Sequence, residues 1–222
     1  MTAVPAPTSL DSTIAVRLWL VPAGGRDTPQ EAPSVLDADE RRRALAFHRA
    51  CDRSRYIGAH TLLRRILGAH LGVAPREVLL TRERCPMCGG PHGRPAVANG
   101  AVHFSLAYSG ELCLVAVAST PVGVDMERIP SPEQATRLGS ALHPREASEL
   151  LALPAQNRPL AFARAWVRKE AYLKGLGTGL TRGLSVDDVG TGPVPAQCSP
   201  DWLIADVALG RSRVAAIAIR RR

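Results

Sequence analysis

The sequence predicts an α+β fold made of two similar halves. Three observations carry this. Each half of the 222-residue chain offers a strand, then a long helix, then several strands. The strand candidates are short runs bounded by turn residues, residues 14–20 alternating with period 2, whereas the second N-terminal helix carries an apolar side. A Thr120-Pro121 step separates the two sets, although no residue-level repeat accompanies it. The expected division is 1–119 and 120–222, and a chain of this length can bury one good-sized core or two small ones.

Residues 14–20 (IAVRLWL) alternate and read as a strand. Residues 38–71 read as two helices, the second from about Asp52 to Leu71 with Ile57, Leu62, Leu63 and Ile66 on its apolar side and Gly72 as its stop. Residues 82–100 are crowded with Cys, Pro and Gly and read as loop. AVHFSLAYSG and ELCLVAVAST read as strands joined at Ser109-Gly110, followed by a third at VGVDMERI. In the second half, helices are expected near 144–152 and 159–176 and strands near 184–188, 202–208 and 213–219. Residues 1–12 and 191–200 read as loose loop.

No apolar run is long enough to cross a bilayer, so no membrane role is expected. The first residues lack a basic stretch followed by an apolar one, which points to a cytoplasmic home. Five cysteines in a reducing compartment read as free thiols or metal ligands. The net charge of +8 favours an anionic partner. The cation is almost always Arg; only two lysines occur, Lys169 and Lys174, in one short segment. Where Arg is habitual, a lysine marks a place that needs a compact ammonium.

Two segments carry the chemistry: Gly123-Val-Asp125-Met-Glu127 and Trp166-Val-Arg-Lys169-Glu170-Ala-Tyr-Leu-Lys174-Gly175-Leu-Gly177-Thr-Gly179. Alternation puts Asp125 and Glu127 on one face of an otherwise apolar strand. Such a pair repels, and a hard divalent cation with oxygen ligands compensates it. The plainer reading is a solvated strand end eased by Arg128. In the second segment Trp166, Glu170 and Lys174 fall four apart, in one helical stripe. An exposed i,i+4 ion pair is the plain alternative, but Trp166 argues for a sheltered face. There a carboxylate and an ammonium suit general-base and charge-stabilising roles.

In this order, the two segments resemble the signature of the 4'-phosphopantetheinyl transferases, G-[IV]-D-x-E followed by W-x-x-K-E-[AS]-x-x-K-x-x-G-x-G. FSLAYSG looks like that family's FN-x-SHSG strand, Gly93-Arg94-Pro95 like its GKP, and the Asp52–Arg64 helix like its basic N-terminal helix, so the likeness runs from about Arg43 to Leu184. The long, Sfp-like type, with both pseudo-symmetric halves in one chain, is the better match. The resemblance implies the 4'-phosphopantetheinyl transferase fold, two α+β subdomains related by a pseudo-twofold axis, the N-terminal one on the 3'-phosphate side of coenzyme A. It further implies Mg²⁺-dependent transfer of phosphopantetheine from coenzyme A to a serine of an acyl or peptidyl carrier protein, releasing 3',5'-ADP, by a monomer of secondary metabolism serving polyketide or nonribosomal-peptide carriers. Carried over residue by residue, Asp125 and Glu127 hold the metal with Glu146 as third carboxylate. Glu170 is the base, and Lys174 pairs with the pyrophosphate and helps the leaving group depart. Arg43, Arg55 and Arg94 hold the 3'-phosphate, and Tyr108 and Ser109 approach the phosphates.

The chain departs from the pattern at Tyr108, where the family has His; Tyr donates a hydrogen bond but carries no positive charge near neutral pH. Glu40-Arg-Arg-Arg43 replaces a lysine-rich helix entry, which leaves Arg43 less secure than Arg55. The segment Cys85-Pro-Met-Cys88-Gly-Gly-Pro-His92 has knuckle-like spacing but no second CxxC, so a turn with two free thiols is favoured over structural Zn²⁺. A basic nucleic-acid-binding module with a zinc-knuckle-like loop is the rival reading. Scarce aromatics and scattered basic residues speak against it, and no Walker-type loop supports a nucleoside-triphosphate enzyme.

Overall fold

Residues 112–118 (LCLVAVA) are apolar at every position, so the strand they form must be covered on both faces. It is. Cys113, Val115 and Val117 face Ala59, Leu63, Ile66 and Leu67 of a long helix, and Leu114, Ala116 and Ala118 face a second sheet. The computed structural model describes residues 2–5, 7, 15–22, 32–98, 100, 102–210 and 212–222.

In chain order the elements are β1 (Thr2–Val4), β2 (Val16–Pro22), α1 (Ala32–Val35), α2 (Ala38–Leu45), α3 (Ala50–Leu71), β3 (Leu80–Arg82), β4 (Pro95–Val97), β5 (His103–Ser109), β6 (Leu112–Ala118), β7 (Val122–Arg128), α4 (Pro132–Gly139), α5 (Pro144–Ala152), α6 (Arg158–Leu176), β8 (Trp202–Val207) and β9 (Arg213–Arg220). The first sheet runs β1-β2-β6-β5 and the other large sheet β7-β9-β8, with β3 and β4 as a separate hairpin. All pairings are antiparallel.

The two large sheets share a core. Val122, Val124 and Met126 of β7 and Ala215, Ile217 and Ile219 of β9 meet Leu114, Ala116 and Ala118. The alternate residues of β9, Ala216 and Ala218, turn outward to Val167, Ala171 and Tyr172 of α6. Thus α3 covers one outer face and α6 the other. The edges β5 and β7 adjoin, and the Val124 N–H donates to Ser105 Oγ at 3.0 Å.

Helix ends follow their capping chemistry. Asp37 and Glu40 form a capping box at α2, and Gly72 and Gly177 close α3 and α6 with left-handed backbone. Arg64, fully buried on α3, binds Glu40 through Nε at 2.6 Å and also reaches Asp37, tying α2 down.

Three expectations change. No strand forms at 184–188; there the Val189 N–H donates to Glu146 and Asp187 pairs with Arg182, so side chains rather than a neighbouring strand hold the segment. Residues 82–100 are not loop throughout, since β3 and β4 pair from Leu80↔Val97 to Arg82↔Pro95. The first residues contribute β1, whereas residues 1, 6 and 8–12 of that loop expectation lie outside the described residues. No helix among the described residues is long and apolar enough to cross a membrane.

Candidate active site

The site is set by a backbone contact. A Cβ on Gly123 would lie 1.9 Å from the Ala171 carbonyl oxygen and 2.4 Å from the Gly175 nitrogen. Only a glycine lets β7 press so closely on α6. Since Val122, Val124 and Met126 point into the shared core, Gly123, Asp125 and Glu127 must line the opposite face, toward the helix. Glu170 and Lys174 each precede one of the contacting helix residues, so they flank the crossing. Lys174 Nζ lies 2.6 Å from Asp125 Oδ1 and donates to the Val124 carbonyl at 3.3 Å.

Three carboxylates share this field. Burial pushes the Asp125 carboxyl above its ordinary range, and Lys174 opposes the shift. Glu127 is raised by burial and next by the Asp125 charge. Glu170 is raised by burial, then by Asp125, with Glu127 adding to it. Asp125 Oδ2 is buried with no hydrogen-bond partner among the described residues. An orphaned anionic oxygen beside repelling carboxylates is what a hard divalent cation satisfies, so the residues fit one. With Lys174 seated on Asp125, the carboxylates do not all converge, since no three of their oxygens lie within 4.8 Å of one another. Mg²⁺ needs only one or two protein carboxylates, completing its shell with water and phosphate oxygens.

Beside Glu127 a cleft of about 300 Å³ opens, lined by Phe47, Asp52, Arg55, Tyr108, Ser109 and Gly110 as well. Ser109 Oγ donates to Glu127 at 3.2 Å, and Arg213 Nη1 donates to the Ser109 carbonyl at 3.0 Å. Arg55 is half-buried and paired with Asp52 at 3.1 Å. Tyr108 is 46% exposed, enough to meet a ligand in the cleft. Arg43 is exposed on α2, close enough to Tyr56 for its charge to be felt there. Arg94 stands on the hairpin side, its Nη1 donating to the Gly175 carbonyl at 2.7 Å and its Nε 2.8 Å from Glu83. The structure therefore brings together Arg55, Tyr108, Ser109, Asp125, Glu127, Glu170 and Lys174, but holds Arg94 against the end of α6.

Glu146 does not join them. It is wholly buried, accepts from Val189 N–H at 2.8 Å and His143 N–H at 3.1 Å, and pairs with Lys169 Nζ at 2.8 Å. Its acceptor sites are satisfied, and its charge is not among those felt by Asp125, Glu127 or Glu170. The expectation of a third metal carboxylate here is withdrawn, because a capping box and a buried ion pair occupy the side chain. Lys169 is its structural partner.

Sequence reasoning missed Arg213 and Phe47. Arg213 sits directly across from Arg128 in the β7–β9 register, and both guanidinium groups come near Gly110. Like charges facing across a ladder are unfavourable without an anion, which was the missing signal. It needs the register, and the register is not legible in one strand alone.

These features define a carboxylate-rich site beside a cleft of about 300 Å³. Residues 121–199 match the model of the 4'-phosphopantetheinyl transferase superfamily. The chain is 30% identical over 213 residues to the 4'-phosphopantetheinyl transferase HetI of Nostoc sp. strain PCC 7120, covering 92% of this chain and 87% of that protein. It is 30% identical to the 4'-phosphopantetheinyl transferase psf-1 of Bacillus pumilus, over 70% of this chain and 64% of psf-1. Identity to the 4'-phosphopantetheinyl transferase Sfp of Bacillus subtilis strain 168 is 24%, over 67% of this chain and 63% of Sfp. The chain belongs to the 4'-phosphopantetheinyl transferase family.

Proposed function

We propose that this enzyme moves the 4'-phosphopantetheine arm of coenzyme A onto a serine hydroxyl of an acyl or peptidyl carrier protein, with Mg²⁺ at Asp125 and Glu127. The observation that carries the reading is the meeting of Asp125, Glu127, Glu170 and Lys174 where β7 crosses α6, at the edge of the cleft.

The serine oxygen forms a bond to the pantetheine-bearing phosphorus of coenzyme A, and the bond from that phosphorus to the bridging oxygen breaks. Glu170 takes the hydroxyl proton; burial and then the Asp125 charge raise its affinity for protons, which suits a base. The 3',5'-ADP leaves with the bridging oxygen. Lys174, partly exposed, exchanges Asp125 for the pyrophosphate and steadies the growing negative charge. Asp125 and Glu127 would hold the cation, which would supply charge neutralisation to the pyrophosphate as the leaving group departs. Arg55, Tyr108 and Ser109, with Arg213 behind Ser109, offer donors to the remaining phosphates. In this reading residues 1–119 hold the nucleotide end and residues 120–222 the metal and base. A monomer in the cytoplasm, serving secondary-metabolism carriers, is the corresponding cellular picture. Nucleic-acid binding is not favoured.

Intact-mass spectrometry tests this. An apo carrier protein incubated with enzyme, coenzyme A and Mg²⁺ gains one phosphopantetheine arm, and chelator prevents the gain. A panel of carriers left unmodified, with no coenzyme A bound by the enzyme, refutes it.

A further inference from the structure

We propose that Cys85, Cys88 and His92 form a zinc site at the tip of the β3–β4 hairpin. Their ligand atoms all lie within 4.8 Å of one another, the one such group of His, Cys, Asp or Glu among the described residues. A tetrahedral zinc with bonds of about 2.3 Å to sulfur and about 2.0 Å to nitrogen needs ligand-to-ligand edges of about 3.6–3.8 Å, within that span. Cys88 Sγ stands 3.0 Å from His92 Nε2, so binding requires only a small opening of this edge.

The backbone is wound as a metal knuckle. Cys85 N–H donates to the Gly90 carbonyl and Gly89 N–H to the Cys85 carbonyl, both at 2.8 Å. Gly89 takes the left-handed backbone that the turn demands, at φ 71°. A Cβ on Gly90 would come within 3.0 Å of the His92 ring and 3.4 Å of Cys88 Sγ, so a bare glycine keeps the ligand space open. Two thiols and an imidazole without a carboxylate select a soft or borderline cation, distinct from the Mg²⁺ expected at Asp125. Cys88 and His92 are exposed, so water completes the shell and a chelator can reach the ion.

The site braces a long tip. Between the paired strands the turn is otherwise closed by Glu83 N–H to Arg94 carbonyl and Gly93 N–H to Glu83 carbonyl, both at 3.0 Å. Arg94 then reaches Gly175 at the end of α6. Nothing here depends on the transfer chemistry, so the two readings stand or fall separately.

Elemental analysis of tag-free protein purified without chelator is expected to give about one equivalent of zinc per chain. Cobalt replacing it should show thiolate charge-transfer bands and the visible bands of a tetrahedral ion. Cys88→Ser and His92→Ala, at exposed positions that spare the core, should lose zinc and those bands, and protease should cut residues 83–94 faster. Asp125→Ala should keep both. Less than about a tenth of an equivalent of zinc with no cobalt bands overturns the site. So does zinc retained in full by Cys88→Ser, or lost in Asp125→Ala.

Discussion

The chain has two lysines, and each pairs with a carboxylate, yet the pairs behave differently. Lys169 and Glu146 are sealed: their side chains are 3% and 0% exposed, and backbone N–H groups of His143 and Val189 complete the carboxylate. Lys174 and Asp125 stand open: the lysine is 33% exposed and one Asp125 oxygen has no hydrogen-bond partner among the described residues. The same two functional groups make a sealed strut in one place and, in the proposed mechanism, a reaction centre in the other. What separates them is whether every polar atom is satisfied.

The largest expected effect lies in the open pair. Asp125→Ala should abolish Mg²⁺-dependent transfer and leave the fold intact, because Lys174 can turn to solvent; turnover assays with circular dichroism check both halves of this. Glu170→Gln should slow transfer by about 100-fold or more while coenzyme A binds nearly normally. Equal loss of binding, by calorimetry, would remove its role as base. In the sealed pair, Glu146→Gln should cost about 3–5 kcal/mol of stability in urea unfolding, since it strands a buried ammonium. Replacing both members, Lys169→Met with Glu146→Leu, should cost less than the single change.

The smallest effect runs in the opposite direction. The Glu127 carboxyl is raised in the folded chain, so the native state holds its proton more tightly than the unfolded state does. Stability therefore falls as pH rises through the interval between the ordinary and raised values. Glu127→Gln should then raise the Tm of the metal-free chain at neutral pH while depressing transfer, and the gain should vanish below the ordinary carboxylate range. An unchanged or lowered Tm would place Glu127 in a solvated setting.

Much of this was legible before the fold was known. Strand-forming runs bounded by turn residues located β5, β6, β7, β8 and β9 within a residue or two, and the helix expected at 159–176 is α6 at Arg158–Leu176. The face shared by Asp125 and Glu127 follows from the alternation of side chains along a strand. The strand expected at 184–188 failed because its partner groups are the side chains of α5 and of the turn before it, which no local pattern reports. Glu146 failed for a related reason. A glutamate three residues after His143 reads equally as a ligand or as half of a capping box, and only the depth of Lys169 decides between them. At the cysteine loop, spacing alone does not say whether His92 folds back onto the two thiols; the structure shows its Nε2 at 3.0 Å from Cys88 Sγ.

The contact at Gly123 has a consequence for redesign. Because β7 and α6 touch through main-chain atoms, the gap between the acidic strand and the Glu170–Lys174 helix cannot be tuned by swapping side chains. A single added methyl at Gly123 would wedge the two apart and misalign every reacting group together. Phe47, Arg55 and Tyr108 come from the other half of the molecule and carry no such constraint. A variant library aimed at new acyl-coenzyme A donors belongs on that rim, with the crossing left untouched.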